Sequence, residues 1–332
     1  MRDRAGEEVT SSFNQSSVTN QAEVNGLTNC EWNETSALPF LITAYSLVFL
    51  VGFFLNGFVI KFYFCQAQQK ASSSMMVYLK NLAAADFLLC LCLPIRIIHY
   101  ASSSFTIRVI NCNFGASVLF LNMYASIMFM GYISANRYLK VVQPLGTHIM
   151  QTVRAAHIIS TVTWVVLLAV TSAFVILSFN TQELLTSAPV RCETLHSGQL
   201  TVLFKIVHTC CTTLFLFVLV SMVFFYYSTS RRVSLAQQRQ PESSSSTKLA
   251  KSHRNILVLV CVFCFCFIPY HLVRLPQVFL GGHCLSSKVL YYLIELTIIM
   301  SVLNVCLDPI IYFILCKGFR TQLRLGLVCG TS

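Results

Sequence analysis

Charged side chains are scarce in this sequence. Only 11% of its 332 residues are Asp, Glu, Lys or Arg, whereas 55% are hydrophobic. Soluble domains carry about a quarter of charged residues, so the composition excludes an ordinary soluble domain. Acidic residues are the rarer kind, 12 against 23 basic ones, and six of the twelve precede Phe40.

Motifs that would indicate catalysis or metal binding are also missing. The sequence has no glycine-bracketed nucleophile and no phosphate-binding loop, so neither an enzyme nor a bound cofactor is predicted. It has no paired CxxC motifs, which argues against a zinc site. It has no internal repeat, which argues against most secondary transporters. The first 37 residues lack an apolar core, so no cleaved signal peptide is expected.

Long apolar stretches dominate what remains. A helix needs roughly 20 apolar residues to cross a bilayer, and backbone groups in lipid must be hydrogen-bonded within their own segment. The predicted fold is therefore an all-α membrane protein, a bundle of seven transmembrane helices packed around the third. The predicted limits of spans one to seven are Leu38–Cys65, Ser73–Tyr100, Val109–Lys140, Thr152–Ser178, Gln199–Arg231, Ala250–Leu280 and Ser286–Leu315.

The distribution of charge predicts the orientation of the bundle. Most basic residues lie in segments at one end of the spans, and this positive-inside bias places the N-terminus outside the cell and the C-terminus inside. Topology accounts for the excess charge, so no nucleic-acid partner is expected. The predicted parts are an extracellular tail (1–37), the bundle (38–315) and a cytoplasmic segment (316–332). Basic and apolar residues alternate in this last segment, which predicts a short amphipathic helix on the inner surface of the membrane.

Several residues outside the spans are candidates for covalent modification. Asn14 and Asn33 begin glycosylation sequons. Cys329 is a candidate for palmitoylation, and an unmodified thiol is the alternative. Four of the 15 cysteines face the predicted outer side, and an even set in an oxidising compartment indicates two disulfides. These four are Cys30, Cys112, Cys192 and Cys284.

Two carboxylates lie deep inside predicted spans. Asp86 is in the middle of span two and Asp308 is in span seven. Ionisable groups at such depth mark functional sites by default, because burying them unpaired is costly. Ser126 and Asn304 lie at comparable depth, so these four residues could hold a sodium ion. The alternative is that one acid is protonated and the cluster, with water, only binds helices together.

A set of short motifs occurs in a fixed order on the seven spans. Span two carries Leu-Ala-Ala-Ala-Asp86, and span three ends in Asn136-Arg137-Tyr138. Span six carries Cys266-Phe-Ile-Pro269, and span seven carries Asp308-Pro-Ile-Ile-Tyr312. On these motifs the sequence resembles the rhodopsin-like (class A) G-protein-coupled receptors over Leu38–Leu325. The resemblance implies a plasma-membrane receptor that transmits the binding of an extracellular ligand to a heterotrimeric G-protein.

The resemblance also implies roles for individual residues. Cys112 would pair with Cys192, and Cys30 with Cys284. Asn136 stands where the family has an acid, which predicts raised basal activity. Span five lacks proline, so the family's bulge there is in doubt, and Phe267 replaces the usual tryptophan. The implied G-protein switch comprises Asn136, Arg137, Tyr138, Tyr226, Asp308, Pro309 and Tyr312.

Cations in the outer halves of the spans indicate the chemistry of the ligand. His271 and Arg274 are one helical turn apart, so both can face one cavity, and Glu295 is expected to pair with Arg274. Uncompensated cations suit a phosphate or carboxylate, although such residues can instead snorkel to the headgroups. The predicted ligand-binding residues are Arg96, His99, Phe120, Tyr124, Lys205, His208, Phe267, Tyr270, His271, Arg274 and Glu295.

The motif Tyr270-His271-Leu-Val-Arg274 resembles the branch of purinergic nucleotide receptors and related lipid receptors, and the chain is most similar to receptors of the platelet-activating-factor type. ADP-type receptors carry a lysine where this chain has Ile294, which argues against a nucleotide. A phospholipid-type or other anionic ligand is therefore expected. The alternatives are a nucleotide or hydroxycarboxylic-acid receptor, a receptor that binds without coupling, or a membrane transporter.

Overall fold

The computed structural model describes residues 38–66, 73–102, 104–143, 148–181, 198–239, 244–280, 284–316 and 319–321. In this part of the chain, seven helical spans are long and apolar enough to cross a membrane, and no strand occurs. The prediction of a seven-helix membrane bundle is confirmed. Residues 40–332 form one compact unit; a second unit, 1–39, is described only at residues 38 and 39.

Five of the spans are single α-helices, and span six is among them although it contains two prolines. The bounds are Leu38–Gln66, Ser74–Ala101, Val153–Thr181, Gly198–Arg239 and Ser244–Leu280 for spans one, two, four, five and six. Spans five and six extend beyond their predicted limits at the end of the bundle near Arg137. Apolarity marks only the part of a helix that lies in lipid, and helix formers such as Leu235 and Ala236 continue span five beyond it.

Spans three and seven are each interrupted. Span three consists of an α-helix at Phe105–Ile110, a π-helical turn at Asn111–Gly115 and an α-helix at Ala116–Val142. Span seven consists of Cys284–Val302 and Asn304–Leu315, separated by Leu303. A 3-10 turn at Ile149–Gln151 precedes span four.

Proline in span seven exposes a backbone carbonyl that span one uses. Pro309 has no N–H, so the carbonyl of Val305, one turn earlier, loses its helical donor. The Asn56 side-chain amide donates to this carbonyl at 2.8 Å and to the carbonyl of Gly52 at 3.0 Å. Gly52 allows this close approach, because a Cβ there would lie 2.6 Å from Val305 Cγ1. Spans one and seven are thus joined at the level of Asp308.

Span three is the centre of the bundle. In its most apolar segment 72% of the residues are buried, against 17% in span four. Span five packs closely on it at Gly131, where an added Cβ would lie 2.9 Å from Val218 Cγ1. Span five is α-helical throughout Gly198–Arg239, so the bulge left in doubt by its missing proline is absent.

Candidate functional site

An ion pair joins spans two and seven in the half of the bundle away from Arg137. Arg96 Nη2 lies 3.2 Å from Glu295 Oε2, and the Tyr100 hydroxyl donates to the same oxygen at 2.7 Å. The guanidinium also lies 5.0 Å from the centre of the Tyr45 ring, and the His99 ring meets Tyr100 edge-on at 5.0 Å. We call these five residues the arginine–glutamate cluster.

This pairing changes the charge expected at the outer cavity. Glu295 pairs with Arg96, not with Arg274 as the sequence suggested. Arg96 and Tyr100 are one turn apart on span two, so both reach the same carboxylate. Arg96 is only 8% exposed, and a buried cation of this kind is compensated by its carboxylate. Arg96 is therefore not the uncompensated cation that its sequence position indicated.

His271 is held inside the bundle by three contacts. Its Nδ1 lies 2.8 Å from the Phe267 carbonyl, which can only accept, so Nδ1 carries a hydrogen. In the neutral ring Nε2 then accepts a hydrogen bond from the Tyr124 hydroxyl at 3.1 Å. The Phe215 ring stacks on the imidazole at 3.8 Å and 4°. His271 therefore links spans three, five and six.

Arg274 lies one turn beyond His271 and is half-buried. Its guanidinium is 5.1 Å from the centre of the Phe204 ring, and Nη1 donates to the side chain of Gln277. Phe204 in turn contacts His208 at 3.9 Å between ring centres. This places a guanidinium at the edge of an aromatic surface.

Further aromatic contacts join Arg274 to His271. The Phe120 ring lies 6.0 Å from His208 and 4.5 Å from Tyr124, and the Tyr270 ring meets His271 edge-on at 5.3 Å. We call this group the histidine cluster. It comprises Phe120, Tyr124, Phe204, His208, Phe215, Tyr270, His271 and Arg274.

The structure thus divides most of the predicted ligand-binding residues between two clusters. Phe267 is fully buried below them, 5.4 Å from Phe263. Lys205 is exposed on the outside of span five, as the snorkelling alternative describes. Sequence reasoning missed Tyr45, Tyr100, Phe204 and Phe215. Of these, Tyr100 and Phe204 carry a usable signal, because each is four residues from a predicted site residue.

The two membrane carboxylates lie next to each other in the middle of the bundle. Asp86 accepts hydrogen bonds from the Asn122 amide at 3.3 Å and from the Tyr312 hydroxyl at 3.1 Å. Asp308 is its neighbour and is also fully buried. Among the described residues, neither Asp308 oxygen has a hydrogen-bond donor, and the side-chain polar atoms of Ser126 and Asn304 lack partners too. Such orphaned oxygens fit a bound cation, because buried polar groups without partners are costly.

At the opposite end of the bundle from the two clusters, Arg137 contacts span seven. Its Nη2 donates to the Leu315 carbonyl at 3.3 Å. Leu315 ends the helix, so its carbonyl has no helical donor and carries the negative end of the helix dipole. Asn136 donates to the Ser74 hydroxyl at 2.9 Å. Arg137 is thus held by a backbone carbonyl even though residue 136 is not an acid.

Three tyrosines of the predicted switch have partners at different depths. Tyr138 stacks on Phe225 at 4.8 Å, and Tyr226 stacks on His253 at 4.7 Å. Tyr312 donates to Asp86, so it points into the bundle. The family resemblance implies that Tyr226 and Tyr312 move toward Arg137 on activation, and this stays a prediction.

The predicted modifications fall mainly outside the described residues. Cys112 lies in the π-helical turn of span three and is disulfide-bonded. Its expected partner Cys192 is outside the described residues, so this pairing stays a prediction. Also outside are Asn14, Cys30, Asn33, Cys329 and the side chain of Cys284.

Comparison with known proteins relates this architecture to membrane receptors. The family model described as "7 transmembrane receptor (rhodopsin family)" matches residues 55–312. The bovine purinoceptor numbered 14 is 32% identical over 300 residues, covering 89% of this chain and 87% of its own length. Mouse G-protein coupled receptor 87 is 34% identical over 304 residues, covering 87% and 80%. Mouse probable G-protein coupled receptor 34 is 26% identical over 319 residues, covering 95% and 84%.

Proposed function

Because this chain belongs to the rhodopsin family of seven-transmembrane receptors, we propose that it transmits binding of an extracellular phospholipid-type ligand, similar to platelet-activating factor, to heterotrimeric G-proteins. Receptors of this family are not enzymes. The purinergic and lipid-receptor branch suggested by Tyr270-His271-Leu-Val-Arg274 agrees with the relatives. The ligand class is our proposal, as are the plasma-membrane location and an extracellular N-terminus.

The position of Arg274 is the observation that carries the ligand proposal. A guanidinium binds a phosphate or carboxylate through two parallel hydrogen bonds. Arg274 lies over the Phe204 ring, and the rest of the histidine cluster is mainly aromatic. A ligand with an anionic head and an apolar remainder fits this combination of groups. Arg96 contributes less to an anion, because Glu295 already compensates its charge.

The choice between lipid and nucleotide depends on charge. The bovine relative carries a purinoceptor name, so a nucleotide is the competing candidate. A nucleotide carries several phosphates and suits several cations. In this chain Lys205 is exposed, His271 is hydrogen-bonded to Tyr124 and Arg96 is paired with Glu295, so these three residues are poor partners for several phosphates.

The test is GTP exchange on G-proteins in membranes that contain this chain. Platelet-activating factor, lysophospholipids, nucleotides and small carboxylates are compared on wild type, Arg274→Gln and Lys205→Gln. We expect a lipid response whose potency falls by roughly tenfold to a hundredfold in Arg274→Gln, because a charged hydrogen bond contributes about 1.5–3 kcal/mol. Lys205→Gln is the matched control and keeps wild-type potency.

Two results would overturn this proposal. One is a response to nucleotides with none to lipids. The other is a lipid response that Arg274→Gln leaves unchanged, which would place the anionic head elsewhere. Arg137→Ala serves as the uncoupled control, because Arg137 is the proposed contact with the G-protein.

We also propose a sodium ion beside Asp86, Ser126, Asn304 and Asp308. These residues supply carboxylate, hydroxyl and amide oxygens, and the described part of the chain leaves several of them without hydrogen-bond donors. A bound cation would compensate two adjacent buried carboxylates.

A further inference from the structure

Ser234 follows the only pair of adjacent basic residues in the sequence. Arg231 and Arg232 precede it by three and two positions, and the apolar Leu235 follows it directly. A hydroxyl at a fixed distance from two guanidinium groups suits an enzyme with an acidic substrate groove, because each guanidinium can form paired hydrogen bonds with a carboxylate. This charge pattern is typical of a substrate of a basophilic protein kinase.

The structure leaves the motif accessible at the end of span five. Ser234 and both arginines are exposed, and Leu235 is 47% exposed. Every acid in the described ranges lies inside the bundle, so none of them pairs with either arginine. The two guanidinium groups and the serine hydroxyl can therefore be contacted by a second protein.

Neighbouring hydroxyl groups lack this combination of features. Ser228 donates to the Tyr138 hydroxyl at 3.4 Å, and Thr229 is fully buried. Ser252, on span six, is half-buried and has one lysine directly before it. Within the part of the chain that the structure describes, Ser234 is thus the hydroxyl that combines exposure with two preceding arginines.

The helix around Ser234 can open at low cost. Ser234 lies five residues before Arg239, where the helix ends. Of residues 231–238, Val233 alone is buried, at 8% exposure. Helix ends with few buried contacts open locally at free energies far below that of global unfolding. Opening this end exposes one buried side chain and allows the motif to enter a kinase groove as an extended segment.

We propose that Ser234 is phosphorylated by a basophilic protein kinase that recognises Arg231 and Arg232. The serine oxygen attacks the terminal phosphorus of a magnesium-bound nucleoside triphosphate. A bond from this oxygen to phosphorus forms, the bond from phosphorus to the bridging oxygen breaks, and the nucleoside diphosphate leaves. The hydroxyl proton passes to a carboxylate of the kinase. The proposal rests on the cytoplasmic position of this end in the proposed function, because the kinase and its triphosphate are cytoplasmic.

Phosphorylation changes the charge of this helix end. A phosphoserine carries about −1.5 to −2 charges at pH 7, which offsets the two arginines. Arg231 is three residues before Ser234, so the phosphate and this guanidinium lie on one side of the helix and can pair. The negative end of the helix dipole disfavours the phosphate there. Modification therefore replaces a cationic helix end by a nearly neutral one.

The test is phosphate transfer to the purified full chain in detergent, where both ends of the bundle are accessible. The probe is the catalytic subunit of cyclic-AMP-dependent protein kinase with magnesium ATP, and tandem mass spectrometry identifies the modified residue. Wild type is compared with Ser234→Ala, with Arg231→Gln/Arg232→Gln and with the matched charge control Arg154→Gln/Arg254→Gln. The control removes two exposed arginines from spans four and six.

We expect phosphate on Ser234 in wild type and in the charge control. In Arg231→Gln/Arg232→Gln, kcat/KM for this serine should fall by roughly a hundredfold, because two charge-assisted contacts with the kinase are lost. Ser234→Ala should lose the phosphopeptide altogether. Thermal unfolding of each variant shows that a loss of phosphate does not come from misfolding.

Two results in the purified system would overturn the proposal. Equal kcat/KM in wild type and Arg231→Gln/Arg232→Gln would show that the kinase does not recognise the arginines. Phosphate on a peptide of residues 228–238, but not on the full chain, would show that the helix keeps Ser234 out of the kinase.

A cellular measurement separates this site from the proposed orientation. The same phosphopeptide is expected from cells after a rise in cyclic AMP. Its absence from cells in which a C-terminal tag is cytoplasmic would also overturn the proposal. An extracellular C-terminal tag would instead contradict the orientation. Neither assay contains a ligand, so failure of the ligand proposal leaves both measurements unaffected.

Discussion

Within the described chain, Asp308 is buried without hydrogen bonds that would offset the free-energy cost of burying a carboxylate. Both its oxygens lack donors in the described ranges, while Asp86 beside it has two. Two adjacent carboxylates repel when both are ionised, so either a proton or a cation must be shared between them. The side-chain oxygens of Ser126 and Asn304 also lack hydrogen-bond partners within the described chain. A shared proton or a bound ion would correct this imbalance, and the dependence of stability on sodium distinguishes the two.

The sodium proposal predicts a cation-specific stability. We expect the thermal unfolding midpoint of the purified chain to rise with sodium but not with choline or potassium, corresponding to about 1–3 kcal/mol when sodium greatly exceeds its dissociation constant. In Asp86→Asn this dependence should disappear, because one ligand charge is lost. Equal midpoints in sodium and choline for the wild type would refute the ion. Lys61→Gln, far from the carboxylates, is the control and should keep the dependence.

At the scale of helices, a glycine allows a close contact between spans three and five. Val218 of the α-helical span five lies against Gly131 of span three. Gly52 likewise allows spans one and seven to approach each other closely. Small residues at such crossings let helix backbones approach, which is a main source of helix association in lipid. The distance between the two helices at each of these crossings therefore depends on a single glycine.

Gly131→Ala is predicted to destabilise the bundle. The added methyl would lie 2.9 Å from Val218 Cγ1, and overpacking of this kind costs about 1–3 kcal/mol. Gly57→Ala is the matched control, because nothing lies within 4 Å of a Cβ there. Thermal unfolding in detergent distinguishes them: the midpoint should fall for Gly131→Ala and recover in Gly131→Ala/Val218→Ala. No fall in Gly131→Ala would show that span five moves aside freely.

The elements were predictable from sequence to the extent that they depend on local composition. Each span contains a long apolar stretch, so its existence follows from residues next to one another. The pairing of Glu295 with Arg96 does not follow from neighbouring residues, because it depends on how spans two and seven are rotated about their axes. The Arg137 contact was hidden for a different reason. Its acceptor is the backbone carbonyl of Leu315, and a carbonyl at a helix end has no residue-specific signal.

At the scale of the whole molecule, charge separates the two ends of the bundle. The described acids are internal, while exposed cations such as Lys61, Arg154, Arg231 and Arg254 lie at the Arg137 end. The two clusters proposed to bind the ligand lie at the other end. The proposed ligand and the proposed G-protein would therefore meet opposite ends of the bundle.

The charge asymmetry predicts the orientation in cells. An epitope tag at the N-terminus should be stained by antibody on intact cells, and a tag at the C-terminus only after permeabilisation, because cationic ends are retained in the cytoplasm. Staining of the C-terminal tag on intact cells would contradict the orientation. Removing the positive charges of Arg231, Arg232 and Arg254 should leave it unchanged, because other cations remain at that end.

Span seven changes its hydrogen bonding locally at Leu303. The Leu303 carbonyl accepts from the amides of both Cys306 and Leu307, so the helix is tightened between its two α-helical segments. Glu295 lies on the first segment, whereas Asp308 and Tyr312 lie on the second. Both segments are also tied to span two, because Glu295 pairs with Arg96 and Tyr312 donates to Asp86. A shift of span two along its axis would therefore act on both segments of span seven at once.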